Sequence, residues 1–380
     1  MKTLVVSYMY LNGVGGGVFA SRAYINALAE VSEKITLVYP ECVDCKTSDI
    51  SSKVEMIPVN YAIPKWRKLL VWLQGRCHLL KDATKRCLDR EYYDLVVFNH
   101  SLACQGLIHY AHHKGAKVIT LHHNFEQEYT RDNATSNGVI SKIYMHNVIV
   151  AERNAVVYSD LNLTITEDDK FLLRKFYDPK CDAKIEVLGC FEPKKIKPLD
   201  VRNRQQGAYR FVITGSLSQV QTYKSLTEWL NRYFDILNKV CPGMSLTIAG
   251  KNPSEQIRKM CSDKGIRLIP NPEAMDDVLL DADYFICPVS LGGGLKLRIM
   301  DGLKAGLPIL THAVSARGYD KFKDVSVFSY ADEQSFELSL RKIISKEFSA
   351  LKIQNEYLSV FSFEAGVGRF KEFISMLSIM

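Results

Sequence analysis

PVSLGGGLKLRIMDGLKAGLP, residues 288–308, packs three consecutive glycines, a nearby lysine, an aspartate and a Gly-x-Pro into one short run. It overlaps the end of DYFICPV (283–289), an apolar run that reads as a buried strand, and leads into Ile299, Met300 and Leu303, whose spacing predicts a helix opening near Leu295. Gly292, Gly293 and Gly294 would then lie at a helix N-terminus. There the unpaired N–H groups and the positive dipole end favour an anion, and the absence of side chains lets its oxygens close on the backbone. Lys296, placed in the first turn, opposes that dipole by a few tenths to about 1 kcal/mol unless an anion sits in front of it. A phosphate resolves the conflict; a tight turn beside a solvated lysine is the plainer alternative.

The same strand-then-helix order extends outward in both directions. TLVVSY (3–8), KITLVYP (34–40), DLVVFN (94–99), KVITLHH (117–123), LNLTIT (161–166) and KIEVLG (184–189) alternate with helix-like segments such as FASRAYINALAEV. After the polar, basic segment EPKKIKPLDVRNRQQGAY the pattern restarts with RFVITGS (210–216), SLTIAGK (245–251), IRLIP (266–270), DYFICPV and LPILTH (307–312). This is an α/β pattern of parallel sheets covered by helices. The expected division is a Rossmann-like domain over 1–190, a linker over 191–207, a second Rossmann-like domain over 208–360, and a C-terminal helix over 361–380 packing back towards the first domain. Ligands of open α/β sheets bind beyond the carboxyl ends of the strands. Two such domains facing across a cleft would bring together Gly15, Gly16 and Gly17, His122 and His123, Gly215 and Ser216, and the glycines of the opening run.

A chain of 380 residues suits two domains, and 47% hydrophobic with 24% charged residues argues against disorder as the main state. Lys and Arg exceed Asp and Glu by 49 to 42, a mild basic excess that suits phosphate-bearing partners without any nucleic-acid signature. No small-x-small cleavage site follows MKTLVVSYMYL, and no run of apolar residues is long enough to span a bilayer. The ten cysteines form no framework of paired spacings, which suits cytosolic thiols and a cytoplasmic location. Cys42 and Cys45 make a C-x-x-C without the further ligands a zinc site needs or the helix a redox site opens.

Pro288, Gly292 to Gly294, Lys296, Asp301 and Ala305-Gly306-x-Pro308 resemble the C-terminal motif of nucleotide-sugar glycosyltransferases of family 4, the glycosyl transferases group 1, which have the GT-B fold. LTIAG (246–250), DDVLLDADYFICP (276–288) and an N-terminal G-G-x-V carry the likeness over most of the chain. The resemblance implies a donor nucleotide sugar held mainly by the second domain and an acceptor held by the first. It gives Asp301 the ribose hydroxyls, which a carboxylate can accept in pairs. It also implies a retaining transfer that needs no metal and no cofactor. Preorganised N–H groups and ammonium groups would stabilise the charge developing on the departing diphosphate.

Two departures stand out. Many relatives have a glutamate near the transferred sugar where this sequence has Gly293, which puts the sugar and the level of activity in doubt. Relatives commonly also place an arginine after the equivalent of Gly215 and a lysine some residues later; here the candidates are Ser216 and, beyond a longer loop, Lys224. Lys296 and Lys224 are thus the expected phosphate cations, with Leu295 beside them, although Lys224 also reads as a solvated residue opening the KSLTEWL helix.

His100, His109, His112, His113, His122 and His123 crowd into one stretch without a standard metal spacing. In related enzymes a histidine at this strand end approaches the transferred sugar, and TLHHNFEQEY puts His122 there first and His123 second. Glu126 and Glu128 are possible acceptor contacts or plain loop carboxylates. In 63–90, Trp66, Leu69, Leu70, Leu73, Cys77 and Leu80 recur at helical spacing amid excess basic charge, a pattern for an anionic membrane surface or for an ordinary helix with a solvated basic face. The expected function is transfer of a sugar from a nucleoside diphosphate to a glycan or lipid-linked acceptor. A nucleotide-sugar epimerase of similar fold and a catalytically weak nucleotide-sugar-binding protein are the alternatives. Asp281-Ala-Asp283, the local D-x-D, reads as a cap and turn ahead of a strand and not as a metal site.

Overall fold

The computed structural model describes residues 1–13, 15–41, 49–61, 64, 66–67, 69–70, 78–132, 138–201 and 209–378. The C-x-x-C at 42–45 lies outside them, as do 71–77 of the basic segment. The chain divides into two compact units, Met1–Ile196 with Phe361–Met380, and Lys197–Val360.

In the first unit, β1 (Lys2–Ser7), β2 (Lys34–Glu41), β3 (Val54–Asn60), β4 (Leu95–Asn99), β5 (Lys117–His122), β6 (Leu161–Thr164) and β7 (Ile185–Val187) form a parallel sheet in the order β3-β2-β1-β4-β5-β6-β7. Leu4, Val5, Val6, Val96, Val97 and Phe98 are wholly buried, as strands covered by helices on both faces require. The chain leaves β1 in one direction for β2 and returns on its other side as β4, so the strand order reverses there and opens a crevice at the carboxyl ends. Helix α1 (Gly16–Val31) starts from an N-cap at Gly15. Its buried Tyr24 packs against Phe191 and against Phe370 of the helix Phe363–Ser375, and its hydroxyl donates to the Gly189 carbonyl at 2.9 Å. That last helix therefore completes the core of the first unit.

The second unit repeats the plan with β8 (Arg210–Ser216), β9 (Ser245–Lys251), β10 (Arg267–Pro270), β11 (Tyr284–Cys287), β12 (Ile309–His312) and β13 (Val327–Tyr330), parallel in the order β10-β9-β8-β11-β12-β13. The reversal falls between β8 and β11. Trp229, Tyr233, Phe336 and Tyr330 form an aromatic cluster on one face. Asp283 at the head of β11 is buried and accepts from the Arg210 backbone N–H and guanidinium, while Asp281 takes a second arm of Arg210. The D-x-D is thus an ion-pair clasp joining β8 to β11.

Candidate functional site

The second unit's crevice lies beyond Gly215 and Cys287. Helix α2 is used here for Val220–Arg232, which follows β8, and α3 for Leu297–Lys304, which follows β11. The helix after the glycines thus opens at Leu297, later than the expected Leu295, and Lys296 is its N-cap rather than part of its first turn. The reason is local. Gly292 and Gly294 have φ of 80° and 68°, left-handed values that hold the chain out of the helix. Lys296 turns back so that its ammonium donates to the carbonyls of Gly292 at 2.9 Å and Gly293 at 2.6 Å. The positive charge expected to oppose the dipole is therefore set against two carbonyl oxygens of the loop. Tyr319, buried, donates to the Lys296 carbonyl at 2.8 Å, and Ser225 of α2 accepts from the Ser290 N–H at 3.1 Å, so both ends of the loop are fastened.

Gly292 sits under Gln221 of α2: a Cβ there would come within 2.7 Å of the Gln221 amide. Gly293 differs, since a Cβ there meets nothing within 4 Å. Packing around the Cβ position therefore does not require a glycine there. Leu295 is half-buried in the loop, and Asp301 is half-buried on α3. Lys224 is exposed on α2, and the α2 side chains that reach the loop are Gln221, over Gly292, and Ser225, at Ser290. Charge drew the sequence reading to Lys224 past the neutral residues that make the contacts. Arg298 was missed as well. Its guanidinium lies over Gly215 at the end of β8, where a Cβ on Gly215 would come within 2.7 Å of Nη1.

In the first unit, Gly15 is the N-cap of helix α1 and Gly16 and Gly17 are its first residues, and Arg22 holds the preceding loop by donating to the Leu11 carbonyl at 2.8 Å. His122 and His123 diverge, as neighbours at a strand end should. His122 Nε2 lies 2.9 Å from Asn162 Oδ1 on β6, and the Asn162 amide donates onward to the Val156 carbonyl. His123 Nε2 lies 2.7 Å from Asn99 Oδ1, and its Nδ1 looks towards Gly17, 3.9 Å from where a Cβ would stand. Both Nδ1 atoms are buried without a protein partner. Burial pushes His122 down to about 4 and His123 down to about 3, so both rings are neutral at physiological pH. With Nε2–H donating to an amide oxygen, Nδ1 of His123 is a lone-pair acceptor facing the start of α1.

His100 has φ of 106°, a strained value for a residue with a side chain. Its Nδ1 accepts from the Leu102 N–H at 3.2 Å and its Nε2 stands 3.1 Å from Glu126. Both nitrogens are thereby occupied, and the imidazole stacks on His123 with ring centroids 5.8 Å apart. Burial alone would raise Glu126, yet His100 beside it holds the carboxyl below its ordinary range. Glu126 is buried against His100 and so is no open loop carboxylate; Glu128 is half-buried. The other histidines of the stretch disperse, His112 to Asp160 and His109 to the Tyr158 ring. Among the described residues, no three His, Cys, Asp or Glu side chains converge as metal ligands.

The family described as Glycosyl transferases group 1 matches residues 205–345, a stretch that holds the glycine loop, Arg298 and Asp301. Solved structures of similar fold include the apo form of the lipopolysaccharide outer core galactosyltransferase WaaB, 13% identical over 99% of each chain with a TM-score of 0.66. HepE from Anabaena in complex with UDP is 11% identical over 99% of this chain and 100% of that one, with a TM-score of 0.68. A point variant of S. aureus TarM in complex with fondaparinux, α-GlcNAc-glycerol and UDP is 9% identical over 98% and 99%, with a TM-score of 0.63. At these identities the likeness is one of fold, and that fold is GT-B. No characterised protein matches the sequence itself. The chain thus has the GT-B fold, and within it residues 205–345 are similar to glycosyl transferases group 1.

Proposed function

We propose that this chain transfers a sugar from a nucleoside diphosphate sugar to a glycan or lipid-linked acceptor, with retention at the anomeric carbon and without a metal ion. The observation that carries the reading is the loop 288–296, whose bare backbone is fastened at both ends ahead of a helix bearing Asp301. The diphosphate would lie against Gly292 to Gly294 and the end of β8 at Gly215 and Ser216, with Lys296 keeping the loop in shape and Asp301 taking the ribose. In the reaction the bond from the anomeric carbon to the diphosphate oxygen breaks and the acceptor oxygen bonds that carbon. The acceptor proton departs on the leaving diphosphate. HepE and TarM were solved with UDP, which makes UDP the first nucleotide to try.

For the first unit, the reading gives the sugar or acceptor hydroxyl to His123 in preference to His122, because the unpartnered Nδ1 of His123 faces the glycines at the start of α1. Gly293 supports a second reading, a chain that binds nucleotide sugars but turns them over weakly. No helix among the described residues is long and apolar enough to cross a membrane. We place the chain in the cytoplasm, reaching an anionic membrane surface through Trp66, Arg67, Leu69 and Leu70, all exposed.

Calorimetry on Asp301→Ala tests the donor assignment. The variant should bind a nucleoside diphosphate roughly 10-fold or more weaker, the cost of one charged hydrogen bond, while binding inorganic diphosphate as the parent does. Equal losses for both ligands would remove Asp301 from the ribose.

A further inference from the structure

We propose that Arg298 is the cation that meets the donor's diphosphate, reaching it across the bare backbone of Gly215; this rests on the donor reading above and names the residue that supplies its charge. Three features point the same way. The guanidinium donates to the Thr214 carbonyl at 3.3 Å and to the Thr222 hydroxyl at 2.9 Å, and no carboxylate among the described residues pairs with it. A half-buried guanidinium resting on two neutral acceptors keeps most of its attraction for an anion.

The two helices that meet at this arginine are also uncapped. Helix α2 has Gln219 at its N-cap and α3 has Lys296, neither side chain makes a capping hydrogen bond, and neither helix has an acidic residue in its first turn. Helix N-termini ordinarily draw Ser, Asp or Glu to their unpaired N–H groups and positive dipole end. Here the contact from Arg298 on α3 to Thr222 on α2 joins two such ends at the point where the strand order reverses, between β8 and β11. The first turns of both helices thus carry no acidic residue where Arg298 and Lys296 stand.

The third feature is Gly215, with φ of 149°. Any side chain there would be strained and would strike the guanidinium within 3.0 Å, so the glycine keeps the strand end clear for Arg298. Lys296 and Arg298 then divide the work. Lys296 holds the loop by its carbonyls, and Arg298, with a planar fork suited to two phosphate oxygens, binds the anion. Thr222 is its resting partner.

The test is calorimetry on the full chain with UDP, GDP, ADP and inorganic diphosphate, beside thermal melts of each variant. Arg298→Gln should weaken the best-bound nucleoside diphosphate and inorganic diphosphate alike, by roughly 10- to 100-fold, and Arg298→Lys should fall between it and the parent. Thr222→Val, which removes the resting partner, should bind at the parent's level or tighter. If the parent binds a nucleoside diphosphate and a folded Arg298→Gln binds it equally well, Arg298 is not the phosphate cation while the donor site stands. If Thr222→Val loses as much affinity as Arg298→Gln, the arginine serves only to tie α2 to α3. If the parent binds none of the four ligands, the donor reading fails and this assignment with it.

Discussion

At the scale of single residues, the sharpest choice is between two adjacent histidines. Both are buried and neutral, each holds an asparagine through Nε2 and each has a buried, unpartnered Nδ1, but only that of His123 is set towards Gly17 at the start of α1. His123→Ala should therefore lower turnover by about 10-fold or more, equivalent to about 1.4 kcal/mol of transition-state stabilisation, with nucleoside diphosphate affinity nearly unchanged. His122→Ala should act chiefly on stability, by leaving Asn162 with an unpaired buried oxygen. Steady-state rates of the two variants with one donor and one acceptor decide it; the reverse pattern would return the role to His122. The sequence brought both residues to the strand end because β-rich runs followed by polar residues mark such ends. Choosing between them needed the position of Asn99 and Asn162, which lie on other strands and share no local pattern with them. Arg298 was hidden for a similar reason: its meaning comes from Gly215 and Thr222, more than seventy positions away in the chain.

Among the elements, the central strands were legible as apolar runs, whereas β3 and β13 were not read at all. Both lie at sheet edges; β3 alternates in burial and holds an exposed Pro58, and β13 is only the four residues VFSY, so neither shows a long continuous apolar run. The basic segment was legible only in part. Leu80 falls in the core of the first unit, while Trp66, Leu69 and Leu70 are exposed, so the apparent single stripe serves two surroundings. If the exposed part meets lipid, replacing Trp66, Leu69 and Leu70 by serine should lower sedimentation with anionic vesicles and leave the melting temperature unchanged; a parent that ignores such vesicles ends that reading. Helix Val139–Tyr158 carries Glu152, wholly buried, which accepts from the Glu126 N–H at 2.8 Å and the Tyr177 hydroxyl at 3.0 Å. Burial first, and then the charge of Glu126, push its carboxyl up to about 8. A carboxyl raised in the folded state favours folding at low pH and loses that contribution as pH rises from its ordinary value towards about 8. Glu152→Gln should then compare better with the parent near about pH 8.5 than near about pH 6 in thermal melts, and a difference constant across that range would contradict the buried titration.

For the whole molecule, two parallel sheets covered by helices were readable from periodicity, because such a sheet repeats one local pattern many times, whereas the strand order was not. The site was less readable, since each crevice gathers residues from several strand ends, and chemistry on a shared fold is decided by those few side chains. The proposed reaction moves a sugar from a nucleoside diphosphate to an acceptor hydroxyl. Its most direct test incubates the intact protein with UDP-, GDP- and ADP-sugars in the presence of EDTA, with and without glycan and lipid-linked acceptors, and follows the nucleoside diphosphate and the sugar by mass. At least one nucleotide sugar should yield nucleoside diphosphate and a glycosylated acceptor in equal amounts, and Arg298→Gln and Asp301→Ala should both slow that release. Conversion of the nucleotide sugar to an epimer, or tight binding of a nucleotide sugar with no nucleoside diphosphate released under any acceptor, would contradict it.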